Sequence, residues 1–150
     1  MALKQRITDD LKAALLGGDR FVSDTLRGLK AAILNEEVAQ NKREDGLDDA
    51  VIEQIVAREV KKRNESAALY DNADRTDLAE IERHEADILK TYLPAQLSEE
   101  EIQAVVIATV AELGVAGPKA MGQVMGVVKS KLGNTADGAT VAKLVKEALI

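Results

Sequence analysis

The residues with the clearest chemistry are lysines in the last third of the sequence. Across 118–149 the apolar residues recur at the spacing of two short amphipathic helices. The lysines fall off these apolar stripes: Lys119, Lys129, Lys131, Lys143 and Lys146. Residues 114–150 hold these five lysines against Asp137 and Glu147, a local net charge of +3 in a chain of net charge −6. Such a module could dock on a folded RNA backbone, and the same lysines could equally serve solubility alone.

The sequence offers little for catalysis. It has no cysteine, which excludes disulfides, thiolate zinc sites and cysteine nucleophiles, and it has no phosphate-binding glycine loop and no G-x-S-x-G motif. The single histidine, His84, follows Glu80 by four residues, and two ligands on one exposed face are too few for a typical metal site. We therefore predict no catalytic residue, no metal and no cofactor, and interpret His84 as a solvated side chain on an acidic face.

A second basic surface lies on the third predicted helix. Arg58, Lys61 and Lys62 stand at i, i+3 and i+4 and so share a face. No aromatic residue is interleaved for stacking on unpaired bases, and the surroundings are acidic. We favour a solvated face with ion pairs to Glu59 and Glu65, with phosphate contact as the alternative.

A group of charged residues and tyrosines is predicted around the turn between the third and fourth helices. Arg75 and Asp77 are spaced to lock this turn, with Asp77 capping the fourth helix. The other members are Arg63, Glu65, Tyr70, Glu82, Glu85 and Tyr92. Because nothing in the group marks a nucleophile, a polar network that fixes the helical hairpin is favoured over an acid–base cleft.

The elements that position these residues are predicted to be helices only. The chain of 150 residues is 46% hydrophobic but only 2% aromatic, so its core must be aliphatic. Apolar residues recur at helical rather than alternating spacing, with Val38 and Ile81 among the predicted buried positions. We predict an all-α protein with four helices followed by three.

The best domain boundary falls at Pro94, which ends the fourth helix because it restricts the residue before it. The prediction is a four-helix N-terminal domain at residues 1–93, a hinge at 94–97 and a small three-helix bundle at 98–150. No apolar run approaches the length of a membrane span, and the N-terminus lacks the apolar core of a secretory signal. We expect a cytoplasmic location and no membrane partner.

Four motifs resemble the YqeY family along the length of the chain. They are R-x-D-L at Arg75–Leu78, Y-L-P-x-Q-L-S-x-E-E at Tyr92–Glu101, M-G-x-V-M-G at Met121–Gly126 and K-x-K-x-G-x-x-A-D-G at Lys129–Gly138. The C-terminal part is similar to the tail domain of the B subunit of the tRNA-dependent amidotransferase. The resemblance implies a helical N-terminal domain followed by a three-helix tail module.

In that amidotransferase the tail helps to hold the tRNA, while the chemistry sits in other parts of the enzyme. The resemblance thus implies a non-catalytic accessory protein that binds tRNA or a tRNA-bearing enzyme, with no DNA partner. A family label of carbon–nitrogen ligase with glutamine as amido-N-donor would be inherited from the larger enzyme. Carried over by position, the binding surface is Lys129, Lys131, Lys143 and Lys146, with Gly122, Gly126 and Gly138 allowing close approach. The alternatives are a helical adaptor for a protein partner and a participant in glutamine-dependent ligation.

Overall fold

The computed structural model describes residues 2–150, and these form seven α-helices and two short 3-10 turns, with no β-strand. The helices are α1 Ala2–Leu16, α2 Arg20–Ala39, α3 Asp49–Asn72, α4 Thr76–Lys90, α5 Glu99–Leu113, α6 Met121–Leu132 and α7 Gly138–Leu149. The 3-10 turns, Pro118–Ala120 and Gly133–Thr135, precede and follow α6. The predicted all-α class is confirmed.

Local signals in the sequence set where several helices begin and end. At α5 the Ser98 hydroxyl accepts from the Glu101 backbone N–H at 3.1 Å, while the Glu101 carboxylate accepts from the Ser98 N–H at 2.8 Å. This is a capping box, which satisfies two backbone donors that helix geometry leaves free. Asp137 caps α7 by accepting from the Thr140 N–H at 3.1 Å. Gly114 ends α5 in the left-handed region, at φ +61°.

The chain divides into two compact units, Met1–Leu93 and Pro94–Ile150. The first holds α1–α4 around an aliphatic core in which Ile7, Leu26 and Leu29 are fully buried. Tyr92, which follows α4, is 5% exposed and donates its hydroxyl to Asp10 on α1 at 2.6 Å. This bond ties the end of the unit back to its first helix. The independent folding of each unit as a domain stays a prediction.

The outer face of the first unit differs from the predicted one. Val38 and Ile81, expected to be buried, are 55% and 46% exposed. On α2 the buried position in that turn is Glu37, at 2% exposure. Glu37 lies four residues after buried Ile33, so it continues the helical register, whereas Val38 lies one position off it.

The second unit packs α5, α6 and α7 around a smaller core, in which Val106, Val124 and Val145 are fully buried. Its lead-in segment is hydrogen-bonded to the turn between α6 and α7. The Leu97 N–H donates to the Thr135 carbonyl at 2.8 Å, and the Gln96 side chain donates to the Asn134 carbonyl at 2.9 Å.

Within residues 2–150 no single helix is both long enough and apolar enough to cross a membrane. The segments Glu99–Leu113 and Pro118–Thr135 meet that length and composition only when taken together, and they are bent by 102° at the break between them.

Candidate nucleic-acid interface

An open surface of glycine and lysine runs along the outer side of α6. Gly122, Gly126 and Lys129 follow one another at spacings of four and three residues, so they share one side of α6, and Lys119 lies in the 3-10 turn directly before the helix. All four are exposed, and a Cβ placed on Gly122 or Gly126 would meet nothing within 4 Å. Among residues 2–150, neither lysine takes part in an ion pair. We call these four residues the α6 face; a polyanion could approach its backbone closely.

Lys131, also predicted to bind, is held by the neighbouring helix instead. Its Nζ donates to the Glu112 carboxylate at 2.8 Å and to the Thr109 hydroxyl at 3.1 Å, both on α5. Thr109 is fully buried. Lys131 therefore ties α6 to α5, and part of its charge is already neutralised.

The two lysines of α7 differ in whether an acidic side chain lies close to them. Lys143 Nζ lies 3.6 Å from the Glu99 carboxylate at the start of α5, with both side chains largely exposed. Lys146, one turn later, has no acidic partner within the described chain. Gly138 is the first residue of α7, directly after the Asp137 cap, and its surroundings are open. Of the five predicted lysines, Lys119, Lys129 and Lys146 have charge to offer a ligand.

The basic face of α3 is paired within the protein. Arg58 lies 3.8 Å from Glu36, Lys61 lies 3.9 Å from Glu65, and Lys62 lies 3.1 Å from Glu59. The expected pairs to Glu59 and Glu65 are thus present. Exposed pairs of this kind contribute little to stability, but they reduce the positive charge that a phosphate would meet.

The polar group expected around the α3–α4 turn is separated into parts. At the turn, Arg75 binds Asp77 through two hydrogen bonds of 3.2 Å, which lower the pKa of that carboxyl. The predicted turn lock is therefore present, although Asp77 lies in the first turn of α4, and Arg75 rather than Asp77 occupies the N-cap position.

Further along the hairpin, half-buried Arg63 bridges Glu59 at 3.3 Å and Glu85 at 3.0 Å. Burial first, and then the charge of Glu85, raises the pKa of Glu82. Tyr92 belongs to neither part, because it lies after the opposite end of α4 and bonds to Asp10. Burial and that hydrogen bond raise its pKa. These contacts fix helices to one another.

His84 is exposed, as predicted, and its ring also stacks on Phe21 with the ring centroids 4.5 Å apart and an interplanar angle of 14°. In the part of the chain that the structure describes, no group of three or more potential metal ligands comes together.

A charged groove between α1 and α2 was missed by sequence reasoning. Buried Glu37 accepts from Lys4 Nζ at 2.5 Å across the two helices. The spacing of four residues from Ile33 to Glu37 was the available signal, and a charged residue at such a position implies a partner.

The geometry defines an all-helical protein that carries a small lysine-bearing surface on its C-terminal helices. The chain belongs to the Yqey-like protein family, whose model matches residues 4–149. The family predicted from the motifs is confirmed. The similarity of the C-terminal part to the amidotransferase tail stays a prediction.

Relatives of the chain occur in several fungi, each named "Altered inheritance of mitochondria protein 41, mitochondrial". That of Kluyveromyces lactis is 34% identical over 114 residues, 75% of this chain, and that of Lachancea thermotolerans is 35% identical over 113 residues, 73% of this chain. The chain spans 58% of the length of both. The relative from Pyrenophora tritici-repentis is 29% identical over 146 residues, covering 95% of this chain and 78% of its own length.

The expected cytoplasmic location is contradicted by these relatives, whose names are mitochondrial. That expectation rested on the missing apolar core of a secretory signal. The criterion does not detect mitochondrial targeting, which uses amphipathic segments rich in arginine.

Proposed function

We propose that this protein is a non-catalytic accessory protein that binds tRNA, or a tRNA-bearing enzyme, through its C-terminal unit. The observation that carries the proposal is the α6 face, where two lysines without acidic partners flank two exposed glycines. Lys146 on α7 supplies a third unpaired charge. Lysine contacts to phosphate position a nucleic acid without reading its sequence, which suits recognition of a folded RNA by shape.

The proposal narrows the set of binding residues. Lys131 and Lys143 have acidic partners on α5, so part of the charge of each is already neutralised. A variant that removed Lys131 would disturb packing and charge at once. The test therefore leaves both in place and replaces only the three unpaired lysines.

The experiment measures tRNA binding by fluorescence anisotropy over a series of salt concentrations. The test variant is Lys119→Gln/Lys129→Gln/Lys146→Gln, and the control is Arg58→Gln/Lys61→Gln/Lys62→Gln, which removes the same charge from α3. Each phosphate contact contributes about 0.7–0.9 to the slope of log K against log salt, so three contacts give a slope of about −2 to −3. We expect the test variant to lose binding and the control to retain it.

Loss of binding in the control alone would move the interface to α3. Failure of the wild-type protein to bind tRNA at low salt would refute the proposal and favour the helical adaptor. An assay of glutamine-dependent ammonia transfer by the purified protein addresses the third alternative, and the proposal expects no transfer.

A further inference from the structure

The groove between α1 and α2 has a volume of about 290 Å³. Its apolar part is lined by Ile7 of α1 with Ile33 and Leu34 of α2. The Lys4–Glu37 ion pair also lines it, and Lys30 lies two helical turns before Glu37 on α2. Ile7 and Ile33 are buried at its floor, so its exposed apolar surface comes from Ala31 and Leu34 of α2.

The charges of this groove do not cancel. Glu37, 2% exposed, is bound to Lys4. Lys30 is half-buried and forms no ion pair with any residue from 2 to 150. Two lysines against one glutamate leave the lining with a net charge of +1 in a chain of net charge −6. The groove therefore favours a ligand that is both apolar and anionic.

An apolar ridge on α2 borders the groove and extends past it. Ala31, Leu34 and Val38 stand at i, i+3 and i+7, so they share one stripe of the helix. Leu34 is 43% exposed and Val38 is 55% exposed. This is the spacing at which an amphipathic helix in a groove makes its contacts.

We propose that this groove is a docking site for an acidic amphipathic helix of a protein partner. Aliphatic side chains of that helix pack on Leu34 and Val38, the exposed ridge that borders the groove. A carboxylate of the same helix pairs with the Lys30 amine. The positive charge of Lys30 favours acidic over basic helices.

The probe is a fluorescein-labelled synthetic peptide of about four helical turns, with leucines at i, i+4 and i+7 and glutamates beside them. A matched peptide carries lysine at every glutamate position. We expect the wild-type protein to bind the acidic peptide at least about tenfold more tightly than the basic one. Lys30→Glu should reverse this preference, and Leu34→Glu should weaken binding of the acidic peptide by about tenfold or more.

Two control variants make the same kinds of substitution at exposed positions outside the groove. Leu69→Glu changes a leucine on α3 that is 69% exposed, and Lys12→Glu changes an exposed lysine of α1 outside the groove. Both should bind the acidic peptide as the wild-type protein does. Far-UV circular dichroism checks that each variant retains its helices, and methyl NMR shifts of Leu34 and Val38 in the wild-type protein report contact at the groove itself.

Three results would overturn the proposal. The first is no binding of the acidic peptide by the wild-type protein at about 1 mM. The second is equal affinity in Leu34→Glu, Lys30→Glu and the wild-type protein. The third is movement of the Leu34 and Val38 methyl signals with octanoate but not with the peptide, which would assign the groove to small aliphatic acids.

Discussion

Substitution of Lys4 by Met tests how the first unit tolerates a buried carboxylate. Glu37 is 2% exposed and its partner Lys4 is 37% exposed, at 2.5 Å. Removing one partner of a fully buried pair costs about 3–5 kcal/mol, because an uncompensated charge remains in the interior. Water reaches the Lys4 end of this pair, so we expect a smaller loss of about 2 kcal/mol. For a unit of this size, that lowers the melting temperature by about 10 °C.

Tyrosine fluorescence is a suitable assay for this loss. The chain has no tryptophan, and its two tyrosines, Tyr70 and Tyr92, both lie in the Met1–Leu93 unit. Their emission during urea unfolding therefore follows that unit.

A double-mutant cycle decides whether the buried charge is the cause. Lys12→Met, on the same helix but outside any ion pair of the described chain, should change the free energy of unfolding by less than about 0.5 kcal/mol. Lys4→Met/Glu37→Met should recover most of the loss, because the unpaired carboxylate is gone. The reasoning fails if Lys4→Met matches the wild-type protein or if the double variant is no more stable than Lys4→Met.

Two further predictions concern stability. Ser98→Ala should destabilise the second unit by about 1 kcal/mol through loss of the capping box, seen as an earlier thermal transition by circular dichroism; an unchanged transition would contradict this. Tyr92→Phe should cost about 1–2 kcal/mol at pH 7, because the hydroxyl donates to the Asp10 carboxylate. The pKa of Tyr92 is raised in the folded state. The protonated hydroxyl therefore stabilises the folded state fully below a pH of about 10, and this stabilisation is lost as the pH rises further. Urea midpoints measured from pH 8 to 11 should fall more steeply for the wild-type protein than for Tyr92→Phe, and parallel profiles would refute this.

The helices were predictable because their signals are local. The Ser98 capping box, the Asp137 cap and the glycine after α5 each act over three or four residues, so sequence alone identifies them. The aliphatic stripes likewise identified most of the core. The error at Val38 arose where hydrophobicity was given more weight than register. Ile81 keeps the helical spacing to Leu78 and Ile88, but α4 turns Ala79, Ala86 and Leu89 to the core instead.

The candidate interface was only partly predictable. Spacing placed the lysines off the apolar stripes, and the structure finds them exposed. Spacing could not indicate that Lys131 reaches Glu112 and Thr109 across 19 and 22 residues of sequence. Nor could it join Lys4 to Glu37, which are 33 residues apart. Long-range pairing of this kind depends on how helices pack, and no local pattern encodes it.

The two hydrogen bonds of the lead-in segment, from Leu97 to Thr135 and from Gln96 to Asn134, bear on how such a unit could spread among proteins. Both bonds lie within Pro94–Ile150, so a different chain joined before Pro94 would inherit the same start to the three-helix unit. These two contacts would therefore stay with the unit wherever a gene rearrangement joined it to another chain.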